Sequence, residues 1–156
     1  MKPMLERFLP KQIDNQYKGH RLAMFVFFGL TFISLGRSLI HIFYFDGGAN
    51  SIAGLDLSLG EANIIFAFSL WGSSQLILAF VQLLVCVRYR TLIPFMYGLL
   101  FVETLLRMLV GVLKEPIIDG IPPGGFANYV MIPLTLVMLA LSLRSPKSSV
   151  AVEGSR

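Results

Sequence analysis

The chain alternates four long apolar runs with short polar interruptions. The runs cover about residues 22–45, 62–87, 92–113 and 126–143. Each approaches the ~20 residues that a helix needs to cross hydrocarbon. Inside lipid the backbone must satisfy its own hydrogen bonds, which a helix does along its whole length. None of the runs alternates apolar and polar residues as barrel strands do. The pattern predicts an all-α fold: a four-transmembrane-helix bundle over residues 22–143, a basic amphipathic segment at 1–21 and a tail at 144–156.

The interruptions carry their own signals. Asp46-Gly47-Gly48 ends the first run, and Ser58 and Glu61 have the S-x-x-E spacing of a capping box ahead of the second. Arg88-Tyr89-Arg90-Thr91 is so short a turn that the second and third helices are expected to be antiparallel neighbours. Pro116 to Gly125 holds three prolines and three glycines and reads as a loop. Pro133 predicts a kink in the fourth helix. From Met4 to Ile13, apolar Met4, Leu5, Phe8 and Leu9 are interleaved with basic residues. That is the pattern of a short amphipathic helix lying on a membrane surface, limited here by Pro10. The Ser-rich tail beyond Ser145 is expected to be disordered. Ala49 and Ser51 form a weak small-residue cleavage site, but the first apolar run exceeds the roughly 7–15 residues of a signal peptide. A retained first span is the expectation.

Charge gives the orientation, because cytoplasmic loops are enriched in Lys and Arg. Lys2, Arg7, Lys11, Lys18 and Arg21 precede the first run. Arg88 and Arg90 lie between the second and third, and Arg144, Lys147 and Arg156 follow the fourth. The other two loops hold only Lys114, beside Asp46, Asp56, Glu61, Glu115 and Asp119. Both termini are therefore expected in the cytoplasm, with the chain multi-pass in the plasma membrane, most simply a bacterial inner membrane.

Composition removes other classes. Hydrophobic residues make up 55% of the chain and charged residues only 14%, against about 25% charged in a soluble domain. The net charge of +4 comes from residues flanking the apolar runs, so it reads as a topology signal and not as a nucleic-acid surface. The single cysteine, Cys86, excludes an intramolecular disulfide, a CxxC redox pair and a cysteine-rich metal site. It reads as a small apolar residue, with palmitoylation or redox sensing as alternatives. His20 and His41 stand at opposite ends of the first run and cannot share a metal. No P-loop, Rossmann fingerprint, HExxH or GxSxG motif is present, and a conventional enzyme is not expected.

Candidate chemistry lies within the apolar runs. Each carries polar residues at helical steps of three, four or seven: Ser34, Arg37, His41 and Tyr44; Trp71, Gln75 and Gln82; Glu103 and Arg107; Asn128, Thr135 and Ser142. The neutral ones read first as interhelical glue. The ionisable ones are more informative, since a charge at mid-bilayer costs at least about 2.5 kcal/mol. Arg37 lies roughly 22 Å along the first helix, and Glu103 and Arg107 roughly 18 and 24 Å along the parallel third. The three therefore share one slab in the outer half of the membrane, with His41 one turn further out. Glu103 and Arg107 have the i,i+4 spacing of an ion pair, which leaves Arg37 alone unless Glu103 bridges both.

Two readings follow: an ion network that fixes packing, or an outward-facing charged pocket. On the second, Arg37, His41, Glu103 and Arg107 bind a small polar or anionic molecule or a lipid head group, with Tyr44, Trp71, Gln75 and Asn128 completing the site. Trp71 and Tyr44 could instead stack on a flat ligand such as a quinone, or simply pack or anchor at the interface. The chain would then be an accessory subunit, with a small oligomeric transporter or a purely structural subunit as alternatives. Its expected partners are the bilayer and a membrane protein or further copies of itself.

Gly36-Arg37, the segment Phe101-Val102-Glu103-Thr104-Leu105-Leu106-Arg107, the four-helix length and the short middle turn resemble small uncharacterised bacterial four-helix integral membrane proteins of the broad DoxX-like kind. The resemblance implies a compact bundle, sometimes associated with quinone-linked redox complexes. It assigns no activity and no site residue.

Overall fold

The computed structural model describes residues 2–119 and 122–144. It contains a short helix α1 (Lys2–Phe8) and four long ones, α2 (Arg21–Phe43), α3 (Glu61–Val87), α4 (Ile93–Leu113) and α5 (Pro123–Leu143). The long helices match the four apolar runs, and each is long and apolar enough to cross a membrane. Among the described residues there is no strand, only an isolated bridge between Leu55 and Ile118. The tail from residue 145 onward lies outside the described residues.

The ends of α2 face α1 and the end of α5 on one side, called here the near face, and the 44–60 loop on the other, the distal face. In lipid, helices associate through close packing and interhelical hydrogen bonds more than through hydrophobic burial. Here that produces two hairpins. The most extensive contact is α2 on α3, then α4 on α5, with α2 also meeting α5. A row of three small side chains on α3 spaced seven residues apart, Gly72, Ala79 and Cys86, is buried. It is fixed against α2 at both ends, where Gly72 abuts His41 and Cys86 Sγ lies 3.4 Å from Thr31 Oγ1.

The short middle turn does make α3 and α4 antiparallel neighbours, but it does not make them the most closely packed pair. The turn, with a 3-10 segment at Arg90–Leu92, does hold the near ends of α3 and α4 together. Along their lengths the two touch sparsely, because α3 spends its small-residue face on α2. The apolar core lies at the near end, where Ala23, Phe27, Val85, Ile93, Met96, Tyr97 and Leu100 are buried together. Tyr97 donates a 2.6 Å hydrogen bond to the Ala23 carbonyl across that core.

The near face is closed by α1 and the segment that follows it. Phe8 meets Phe95 edge-on at 5.9 Å, and Arg7 donates to the Leu143 carbonyl at 2.8 Å. Asp14 is tied to Thr91 through backbone and hydroxyl, at 3.0 and 2.9 Å. The predicted short helix is thus present but ends at Phe8, and it packs on α4 and α5.

The distal loops are stitched to each other by main-chain bonds, Asp56 N–H to Ile117 O at 3.0 Å and Asp119 N–H to Gly54 O at 2.7 Å. Here two boundaries and one cap differ from expectation. The first span ends at Phe43, not residue 45, because Tyr44 turns extended and Asp46 gathers the following backbone: Gly48 and Ser51 N–H each donate to its carboxylate at 2.7 Å. The capping box does not form. Asp56 captures both the Ser58 N–H and its hydroxyl at 2.8 Å, and the N-cap of α3 is Gly60, at φ +85°. The last span starts at Pro123, three residues before the apolar run, since a first-turn proline lacks only an N–H that the helix could not use.

Candidate functional site: a polar chain across the spans

Three helices converge on one line of polar contacts in the distal half. Arg37 of α2 donates to Gln75 Oε1 on α3 at 3.3 Å. The amide of Gln75 in turn donates to Glu103 Oε1 on α4 at 3.1 Å. The same oxygen lies 4.0 Å from the Arg107 guanidinium one turn on, with each of those two side chains 23% exposed. Gln75 is thus the connector: its amide takes a cation's hydrogen bond on one side and gives one to a carboxylate on the other. Glu103 does not bridge the arginines directly, which answers the question left open by the spacing.

Arg37 also lies over the Trp71 ring, its guanidinium carbon 5.5 Å from the centroid, where the ring's negative face favours a cation. The same indole meets the His41 ring at 4.8 Å. His41 is 1% exposed and held from three sides. Its Nδ1 lies 2.7 Å from the Gly47 carbonyl, so this nitrogen carries the proton and Nε2 of the neutral ring is a bare acceptor. A Cβ on Gly72 would lie 2.5 Å from that of His41, and one on Gly48 would lie 2.8 Å from its Nδ1. Gly48 is at φ +73°, a region other residues rarely adopt.

The polar chain is not fully satisfied. Among the described residues, no hydrogen-bond partner reaches the buried Arg37 Nε, Arg107 Nε, His41 Nε2 or Gln82 Oε1. The group holds two guanidiniums and one carboxylate, so it carries one excess positive charge with His41 neutral. No described metal-binding cluster of His, Cys, Asp and Glu occurs.

Of the eight sequence candidates, Arg37, His41, Trp71, Gln75, Glu103 and Arg107 form this connected group. Tyr44 does not join it: as the C-cap of α2 it is 49% exposed and stacks on Phe45 at 4.6 Å. Asn128, near the start of α5, makes none of the described hydrogen bonds to it. Sequence reasoning missed Gly72 and Gly48, which seat His41. The seven-residue spacing of Gly72, Ala79 and Cys86 was the available signal for the first. No protein-family model, curated protein or solved structure matches the chain.

Proposed function

We propose that the chain is a membrane-embedded binding protein whose Arg37–Gln75–Glu103–Arg107 group takes the anionic end of a small molecule or lipid. The observation that carries this is the surplus: two arginines, one carboxylate, and buried Nε donors on both arginines that meet no acceptor among the described residues. A buried unpaired donor costs about 1–3 kcal/mol, and more when charged. An incoming phosphate or carboxylate supplies the missing acceptors and the missing negative charge together, and the planar guanidinium fork matches either one bidentately. The sparse contact between α3 and α4 gives the route, since Glu103 and Arg107 remain partly exposed beside it.

In this reading both termini are cytoplasmic in a plasma membrane and the group lies in the outer half. Basic Arg7, Lys11, Lys18, Arg88, Arg90 and Arg144 gather at the near face, which supports it.

Trp71 is the chain's single tryptophan and touches Arg37, so its emission reports on the site. In nanodiscs of zwitterionic lipid, inorganic phosphate tests a soluble anion and short-chain phosphatidic acid tests a lipid one. A saturable change in Trp71 emission with either, lost in Arg37→Gln, is expected. No change with either probe would overturn the proposal.

A further inference from the structure

A second polar site lies at the opposite end of the molecule. A cavity of about 500 Å³ opens under α1 and the connecting segment, and Arg7, Lys11, Lys18, Glu6, Asp14 and Tyr17 are among its lining residues. That volume is in the range of small-molecule sites, about 300–1,000 Å³. The helical rise puts it about 25 Å from Trp71, so it is separate from the polar chain within the spans.

Its charges are not equally committed. Glu6 pairs with Lys11 at 3.5 Å. One Asp14 oxygen accepts from the Gln16 N–H at 2.8 Å, and Arg7 donates to the Leu143 carbonyl at 2.8 Å. Among the described residues, Lys18 has no carboxylate within 4.0 Å. Burial pushes the Tyr17 phenol well above its usual range, so it stays neutral and adds no negative charge beside that lysine.

The cavity also has an apolar exit. An exposed apolar surface formed by Leu5 and Leu9 adjoins it, bordered by Glu6 and Lys11, which also line the cavity. Leu5 and Leu9 are 62% and 52% exposed, and Met4 and Ile13 of the same segment are exposed as well. A chamber with more basic than acidic lining residues, beside an exposed apolar surface at the near ends of the spans, has the form of an amphiphile site. A free anion would have no use for the apolar surface.

We propose that this near-face cavity holds the phosphate head group of an anionic lipid next to Lys18, with an acyl chain leaving over Leu5 and Leu9. Juxtamembrane lysines attract anionic lipid with an energy equivalent to about fivefold in affinity each. The full chain should be extracted from vesicles of equal phosphatidylglycerol and phosphatidylcholine, and retained lipid counted by native mass spectrometry. Phosphatidylglycerol is expected to be retained preferentially. Lys18→Gln, at an exposed position that carries no packing, is expected to reduce that retention about fivefold. Arg88→Gln, equally basic but outside the cavity, should leave it unchanged. Equal retention of the two lipids, or equal losses in the Lys18 and Arg88 variants, would overturn the proposal, the latter by showing only diffuse attraction. Displacement of the lipid by millimolar inorganic phosphate would overturn its lipid part and assign the cavity to a soluble anion.

Discussion

Glu103 is the only acid in the polar chain, and it alone offsets the charges of Arg37 and Arg107. Replacing it with Gln keeps an acceptor for the Gln75 amide but removes the negative charge, leaving Arg37 and Arg107 uncompensated. Arg107→Gln instead leaves one cation and one anion joined through Gln75. Glu103→Gln should therefore lower the melting temperature in detergent more than Arg107→Gln. The loss is expected at about 1–3 kcal/mol, below the full value for a buried pair because the Arg107 contact is long and partly exposed. Equal, negligible shifts in both variants would mean that the side chains are solvated separately. Gly72 offers a test of packing at the same level. A methyl there meets the His41 Cβ at 2.5 Å and its backbone carbon at 3.2 Å, and backbone cannot rotate away. Gly72→Ala should cost about 1–3 kcal/mol through overpacking and disturb Trp71 emission, whereas Gly111→Ala, with nothing within 4 Å, should do neither.

At the level of elements, the four spans were legible because helix length and lipid leave the backbone few choices. What periodicity could not supply was partner choice. The turn at 88–91 implied that α3 and α4 pack together, but a tight turn fixes only the ends of two helices. The small-residue row decided the rest by seating α2. Arg37, Glu103 and Arg107 could be placed at one depth by counting residues, yet their link through Gln75 needed the rotation of three helices to be known. The loops were least legible, because Asp46 and Asp56 compete for backbone donors in ways that spacing alone does not rank. Asp46 can be tested by pH. Burial raises its pKa, but the Ser51 and Gly48 N–H groups and the Ser51 hydroxyl outweigh that and hold the carboxyl below its ordinary range. A carboxyl depressed in the folded state stabilises it fully above the unfolded value, near pH 4, and the gain disappears as pH falls through the folded value. Asp46→Asn should thus melt lower than the wild type at about pH 6, with the gap narrowing towards about pH 3. A gap of constant size across that range would assign the effect to packing alone.

For the whole molecule, the decisive property is which way it faces, because orientation determines which compartment meets each polar site. The near face gathers the basic residues, the distal loops the acidic ones, and a cation-rich loop resists translocation. Two positions make this measurable without disturbing structure. Leu59 is 84% exposed in the distal loop just before α3, and Asn15 is exposed in the near-face segment. The native Cys86 is buried and supplies little background. In intact cells, a membrane-impermeant thiol reagent should label Leu59→Cys and leave Asn15→Cys untouched until the membrane is opened. With that outcome the arginine group would lie nearer the outer surface and the cavity beneath α1 would meet cytoplasmic-leaflet lipid, the leaflet in which anionic head groups attract basic segments. The reverse labelling would invert both assignments at once: the polar chain would then sample the cytoplasm, and the near-face cavity would face a leaflet or compartment that its lysines were not placed to meet. Labelling of both positions in intact cells would mean that the chain does not hold one orientation, and would break the link between charge asymmetry and topology on which the functional reading depends.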